Sequence, residues 1–207
     1  MIPQKIVNCI NVNCKKTISN SFNLVLRSDG YDSLHYVIEG TSYALNDQEI
    51  VKVLNWFDVF WLFLEITFKA TTKKVGKKAI EHQILISLSV FQGEDSDNEK
   101  CQLFRAEWAD YNNPEEKHAQ PHWHITSSRV IENSFAKHAE DLDQRSFLQL
   151  LKGERKRIFD IGKIHFAMNA DWQSDGAHVH KIEVEDEKPI VNWLQGLLFH
   201  LRRELQD

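Results

Sequence analysis

The sequence predicts an α+β domain with a mostly antiparallel sheet, one face of which packs on helices, including an amphipathic helix at the C-terminus. Apolar and polar residues alternate in several short segments, as they do in half-buried strands. Turn-forming residues separate pairs of these segments, as in β-hairpins. The C-terminal segment instead repeats apolar residues every three or four positions, which is the pattern of a helix with one buried face.

Composition and charge fit one globular domain that spans residues 1–207. Hydrophobic residues make up 42% of the chain, and 12 Phe and 6 Trp are enough to fill a sizeable core. The net charge of −5 excludes a strongly basic nucleic-acid footprint over the chain as a whole. Three cysteines without framework spacing, no signal peptide and no long apolar run lead us to expect a soluble, cytoplasmic protein that binds no membrane.

Residues 1–80 are predicted to hold the N-terminal strands and one buried helix. Residues 1–5 lead directly into a short alternating segment, so we expect the chain to begin with strands and turns. Segments 22–27 and 34–39 have the composition of strands, and residues 28–30 (Ser-Asp-Gly) between them are typical of a turn. These segments therefore predict a hairpin.

The buried helix is expected to begin at Asn46. This residue suits the N-cap, and Glu49 lies three positions later, as in a capping box. Apolar residues then recur as far as Trp61 and cover more than one face near that end, which indicates deep burial. The C-terminal part of this element is alternatively a strand, because residues 66–68 (Ile-Thr-Phe) favour strands.

The second part, 81–207, is predicted to carry a histidine-bearing sheet and the terminal helix. Two strands, 83–91 and 101–108, flank an acidic turn and should form a hairpin. Further strands are expected at 121–127 and 163–172. The terminal helix follows, with a proline suited to its first turn and then an apolar stripe: Pro189, Ile190, Leu194, Leu197, Leu198, Leu201 and Leu205.

Histidines are the most unusual feature of the sequence, because seven of the ten fall within residues 118–180. Side chains alternate between the two faces of a strand. In each of three predicted strands of the second part, one face is apolar and the other is polar or ionisable. If these strands are neighbours, their polar faces form one surface that carries Arg105, Glu107, His122, His124, Thr126 and His165.

Such a surface has the residue types of a transition-metal site. His122 and His124 project from the same side of one strand and would chelate a divalent ion such as zinc or manganese. His118 or His165 would be the third ligand. A carboxylate would act as a further ligand or would orient the ligands, and two residues are suitably near in sequence: Glu107 and Asp110.

The same residues also suit chemistry without a metal. Two neighbouring histidines, His122 and His124, can act as general base and general acid, with His165 in support. Arg105 would then neutralise a phosphate, and Glu107 would orient an imidazole. The alternative is that the polar face is only the solvated side of an antiparallel sheet.

The remaining histidines are expected to be less important for function. His178 and His180 follow a glycine and would either complete the site or be solvated. His35, His82 and His200 are expected to be structural.

Three segments together resemble a known group of proteins. They are FRAEW (104–108), HAQPHWH (118–124) and IHF (164–166). The group consists of small, mostly uncharacterised prokaryotic proteins with an F-R-x-[D/E] strand and an H-P-x-x-H-x-H motif. This sequence differs from the motif at Ala119, where the group has proline, and at 106–107, where Tyr-Asp is usual.

The resemblance implies a toxin or phage-defence effector, since several members occur in toxin–antitoxin or phage-defence contexts. The implied activity is a histidine-dependent phosphodiesterase or ribonuclease that acts on RNA or nucleotides. His122 and His124 would form the catalytic or metal-binding pair, supported by His118 and His165. The alternative is a non-enzymatic subunit of a defence or regulatory assembly, which would bind a protein from the same locus through exposed aromatic residues and the terminal helix. A ligand sensor with a pocket on the polar face is a third hypothesis.

Overall fold

The computed structural model describes residues 3–30, 33–46, 49–72, 80–97, 100–109, 121–125 and 187–206. These residues form two helices and eight strands. In chain order they are α1 (Pro3–Thr17), β1 (Leu24–Gly30), β2 (Ser33–Ile38), β3 (Ser42–Asn46), β4 (Glu49–Phe57), β5 (Phe60–Thr72), β6 (Ile80–Gln92), β7 (Cys101–Ala109), β8 (His122–Ile125) and α2 (Lys188–Gln206).

The strands form a sheet with the order β1-β2-β5-β6-β7-β8, and all of its described pairings are antiparallel. The predicted α+β class is therefore confirmed. β3 and β4 form a hairpin outside this strand order, and β4 changes partner along its length. Residues 49–53 of β4 pair with β3, and residues 54–57 pair with β5.

The N-terminal segment is a helix, so the expectation of strands there is wrong. α1 buries Ile6, Val7, Ile10 and Cys14 on one face. This spacing of one, three and four residues follows the helical period rather than the strand period. The alternation in the first few residues extends over too short a window to define an element.

The helix predicted from Asn46 to Trp61 is also wrong, and a hairpin of β4 and β5 takes its place. Its turn contains Asp58, whose φ of 44° lies in the left-handed region that aspartate tolerates. β5 is buried on both faces at residues 61–64. A strand buried on both faces has consecutive apolar residues, which also fit a buried helix. The alternative of a strand at 66–68 is confirmed.

The two predicted hairpins are confirmed, with one change of position. β1 continues through Gly30, which pairs with Ser33, so residues 28–30 belong to a strand and not to a turn. β6 and β7 match the prediction closely, and β8 lies within the expected 121–127. The strand predicted at 163–172 lies outside the described residues.

One face of the sheet packs against both helices. Tyr36 of β2 donates a hydrogen bond from its hydroxyl to Oε1 of Gln4 in α1, at 3.2 Å. Trp108 of β7 meets Trp193 of α2 edge to face, with ring centroids 5.4 Å apart. The apolar stripe of α2 is buried in this core, as predicted. Among the described residues, neither helix is long and apolar enough to cross a membrane.

The start of β1 is held by a side chain of α1. The backbone N–H of Leu24 donates to Oδ1 of Asn11 at 2.7 Å, and Nδ2 of Asn11 donates to the Leu24 carbonyl at 3.3 Å. The carboxamide of Asn11 therefore binds both backbone polar groups of Leu24, as a partner strand would.

On the opposite face of the sheet, β6, β7 and β8 carry polar side chains, and the β3–β4 hairpin lies against part of this face. Asn46, at the end of β3, accepts hydrogen bonds at Oδ1 from Ser89 of β6 at 3.1 Å and from Gln102 of β7 at 3.2 Å. Lys100, which precedes β7, is only 2% exposed and also contacts this hairpin. These contacts fix the hairpin beside the strip of sheet that carries the ionisable residues.

Candidate metal centre

β7 and β8 bring together four of the residues singled out in the sequence. Glu107 pairs with His122, and Arg105 pairs with His124. Between them Ala106 pairs with Trp123 and points to the core, where it is fully buried. The alternation predicted for these two strands is confirmed, because all four polar side chains lie on the face opposite the helices.

Three of these side chains converge at their ends. Nε2 of His124 lies 3.2 Å from Oε2 of Glu107, and Nε2 of His122 lies 3.4 Å from the same oxygen. The two Nε2 atoms are 2.9 Å apart, with the ring planes inclined at 72°. The three atoms therefore form a triangle, and each could donate an electron pair to a metal ion.

Protons alone cannot satisfy all three sides of this triangle. A carboxylate oxygen brings no proton, and each Nε2 carries either one proton or one lone pair. If both nitrogens donate to Glu107, the short contact between the nitrogens sets two N–H groups against each other. If one imidazole donates to the other, the accepting Nε2 has only a lone pair and faces the carboxylate without a proton. The donating Nε2 must then share its single proton between the other ring and Glu107. A cation facing three lone pairs removes this conflict.

The dimensions of the triangle suit a small transition-metal ion. Zinc binds imidazole nitrogen and carboxylate oxygen at about 2.0–2.2 Å, so ligand atoms at tetrahedral angles lie about 3.3–3.6 Å apart. Two sides of the triangle, 3.2 and 3.4 Å, are close to this separation, and the third, 2.9 Å, is slightly shorter. Three protein ligands would leave a fourth position for water or substrate.

Solvent reaches the centre from the side of β8. The side chain of His124 is 50% exposed, whereas those of His122 and Glu107 are each 22% exposed. Partial burial strengthens the interaction of these groups with a cation, since water screens it less. The exposed edge of His124 would leave a path for a substrate.

Arg105 holds the other oxygen of Glu107. Its Nε lies 2.9 Å from Oε1, and its side chain is 22% exposed. The ion pair turns Oε2 toward the two imidazoles and fixes the carboxylate. Contacts of this kind orient the residues that bind a metal.

The structure thus brings together His122, His124, Glu107 and Arg105. Within the described part of the chain, Glu107 provides the third atom that could bind a metal ion, beside the two imidazole nitrogens. The predicted third ligand, His118, lies outside the described residues, and so do the other proposed members of the surface: Asp110, Thr126 and His165. Their roles stay predictions.

A second imidazole–carboxylate pair lies on the same face, and the sequence interpretation missed it. Nε2 of His35 in β2 is 3.1 Å from Oε2 of Glu65 in β5. His35, which was expected to be structural, lies beside a carboxylate on the polar face. Glu65 is the only charged residue in the apolar run 60–68 (FWLFLEITF), and this isolated charge was the available signal.

Comparison with protein-family models, with curated proteins and with solved structures gives no match. The resemblance to the prokaryotic group with the H-P-x-x-H-x-H motif therefore stays a prediction, and the candidate centre rests on its own geometry.

Proposed function

We propose that the protein is a metal-dependent phosphodiesterase that acts on RNA or nucleotides. Glu107, His122 and His124 would hold the metal. The observation that carries the proposal is the triangle of Oε2 and two Nε2 atoms. Two of its sides, 3.2 and 3.4 Å, are close to the separation of ligand atoms on one ion, and its three sides cannot all be hydrogen bonds.

Two imidazoles with one carboxylate favour zinc or manganese among the divalent ions. Such an ion, when bound, would polarise a phosphoryl oxygen and would activate water for attack near neutral pH. The residues of the chain have simpler tasks. Glu107 and the two histidines fix the position of the ion, and Arg105 adds positive charge beside it, where a phosphodiester would bind.

The choice of RNA or nucleotides rests on two arguments. Arg105 supplies a guanidinium within reach of the centre, and an anionic phosphodiester is the substrate that a cation and an arginine would neutralise together. The second argument is the resemblance of segments 104–108, 118–124 and 164–166 to defence-associated proteins, which also motivates the proposal of a toxin or phage-defence effector in the cytoplasm.

The non-enzymatic alternative receives less support from the described residues. It relied in part on the terminal helix as a docking surface. The stripe of that helix, from Ile190 to Leu205, is buried in the core of the chain itself. It is therefore not available to a protein partner in this fold.

The first test is metal binding by the purified protein, measured by elemental analysis and by titration of the metal-free protein with zinc or manganese. We expect about one ion per chain in the wild type and none in the double variant His122→Ala, His124→Ala. The matched control is His200→Ala, in a helix on the other side of the sheet, which should bind the ion normally. Equal metal content in wild type and double variant would overturn the metal centre.

The second test is cleavage of a labelled single-stranded RNA with the metal restored. The double variant should lose at least about 100-fold in rate, while His200→Ala keeps the wild-type rate. A wild type that binds metal and cleaves neither RNA nor bis(p-nitrophenyl) phosphate would leave the metal centre standing and overturn the phosphodiesterase.

A further inference from the structure

The polar face carries a continuous row of paired residues that connects Glu65 to the candidate metal centre. Glu65 of β5 pairs with Ser87 of β6, Ser87 pairs with Glu107 of β7, and Glu107 pairs with His122 of β8. Neighbouring strands lie about 4.8 Å apart, so the Cα atoms of Glu65 and Glu107 are separated by roughly 10 Å. Both carboxylates belong to the same face, since each pairing preserves the side of the sheet.

Each carboxylate of this row has an imidazole at its outer side. His35 contacts Glu65 at 3.1 Å, and its side chain and that of Glu65 are 23% and 30% exposed. His122 and Glu107 are exposed to a similar degree. A half-buried carboxylate in the middle of an apolar strand costs free energy unless it is paired, and an aliphatic residue there would pack at no such cost. His35 offsets this cost at Glu65, but packing alone gives no reason for a charge at this position.

The row has only one side chain between the two carboxylates, and that side chain is short. Ser87, which lies between them, is short and buried. Ser89 is the next residue of β6 on this face, in the direction of the turn between β6 and β7. Its hydroxyl donates a hydrogen bond to Asn46 and accepts one from Gln102. The β3–β4 hairpin therefore bounds one side of the row, and the row itself contains no long side chain between Glu65 and Glu107.

We propose that Glu65 and His35 form a second subsite, which binds the ribose or base of a nucleotide next to the phosphodiester held at Glu107, His122 and His124. This inference rests on the proposed phosphodiesterase. Glu65 would accept hydrogen bonds from a base amino group or a 2′-hydroxyl, and His35 would hold the carboxylate in place and contact the base. A span of roughly 10 Å suits an extended oligonucleotide and exceeds the reach of a single phosphate. The substrate class is accordingly an oligonucleotide.

The test compares a long substrate with a minimal one. Glu65→Gln should raise KM about tenfold for an RNA tetranucleotide, since the loss of a hydrogen bond to a charged acceptor weakens binding to that degree. The rate with bis(p-nitrophenyl) phosphate, which has neither a base amino group nor a 2′-hydroxyl to donate to Glu65, should not change. The control is Glu49→Gln, an exposed residue of β4 that loses the same charge. His35→Gln is a second variant with the same expected pattern and replaces Glu65→Gln if that variant does not fold.

Two further measurements separate this subsite from the metal centre. Metal content should be the same in wild type, Glu65→Gln and His35→Gln. Binding of a cleavage-resistant phosphorothioate tetranucleotide, followed by fluorescence anisotropy, should weaken about tenfold in both variants. Unchanged KM and unchanged affinity would overturn the subsite even if the enzyme cleaves RNA. Equal losses with both substrates would also overturn it, because the pair would then act on the chemistry or on the fold. A wild type that binds metal but no oligonucleotide overturns it independently of any activity.

Discussion

Nζ of Lys100 lies 2.9 Å from Oγ of Ser42, a residue 58 positions earlier in the chain. The ammonium also donates to the carbonyls of Tyr43 at 3.2 Å and Asp97 at 2.5 Å, and it lies 4.6 Å from the ring centroid of Trp61. One buried cation thus joins the β3–β4 hairpin to the turn between β6 and β7.

Lys100→Met should therefore destabilise the protein by about 1.5–3 kcal/mol, because the substitution removes the charged donor that Ser42 and the carbonyls of Tyr43 and Asp97 share. Ser42 loses less, since its hydroxyl keeps a hydrogen bond to the Asp95 carbonyl at 3.1 Å. The measurement is urea unfolding followed by tryptophan fluorescence. Lys52→Met, at an exposed position of β4, is the control and should change stability by no more than about 0.5 kcal/mol. Equal midpoints for both variants would show that the hairpin does not depend on Lys100.

Arg105→Lys should weaken metal binding although the charge is kept. Lysine has no nitrogen at the position of Arg105 Nε, which lies 2.9 Å from Oε1 of Glu107, so Oε2 would no longer be fixed toward the imidazoles. We expect the dissociation constant for zinc to rise about tenfold, as for other residues that orient metal ligands. Arg203→Lys, at an exposed position of α2, should bind zinc like the wild type. An unchanged dissociation constant for zinc in Arg105→Lys would show that Arg105 does not orient the metal ligands.

His82 should make stability depend on pH. Burial lowers its pKa below the ordinary value of 6.5, and among the described residues its Nδ1 is buried without a hydrogen-bond partner. Below that value the unfolded chain binds a proton that the folded chain still excludes, so stability falls as the pH decreases through 6.5 toward the lowered pKa.

The difference between wild type and His82→Gln isolates this contribution. Between about pH 8 and about pH 5 the wild type should lose more free energy of unfolding than the variant. Chemical denaturation at several pH values measures the free energy of unfolding of both proteins. Parallel pH profiles for the two proteins would mean that the burial of His82 has no energetic effect.

The thiols should differ in reactivity. Burial, together with nearby Cys9, raises the pKa of Cys14 to about 12, and burial also raises the pKa of Cys101. The reactive species is the thiolate, so Cys14 should resist iodoacetamide in the folded protein at about pH 8. Cys9, which is partly exposed, should be alkylated first. Peptide mapping by mass spectrometry reads out each site, and the urea-unfolded chain, in which all three thiols react, is the control. Early alkylation of Cys14 would place it at the surface.

The part of the candidate metal centre that could be predicted from the sequence is the part set by the alternation of side chains along one strand. The period of two places Arg105 and Glu107 on one face of β7, and His122 and His124 on one face of β8. The register between strands is a property of the folded sheet, so the pairing of Glu107 with His122 is not encoded in either segment alone. For that reason the sequence interpretation left several third ligands open.

The errors in the fold arise from a related cause. Residues 61–64 are buried on both faces of the sheet, and their consecutive apolar side chains have no period of two. Local patterns distinguish a strand with one solvated face from a helix, and β6, β7 and α2 were found in this way. They do not distinguish a doubly buried strand from a buried helix. The pairing of His35 with Glu65 was missed because these residues are 30 positions apart.

The carboxamide of Asn11 has a consequence for the behaviour of the protein in concentrated solution. An outermost strand with unused backbone groups is a template on which strands of other molecules can assemble into aggregates. Since α1 occupies both groups of Leu24, it shields this end of β1 from such growth. β1 is the outermost strand in the part of the chain that the structure describes, so we expect that removal of the N-terminal helix would open the backbone groups of Leu24 to pairing with other molecules.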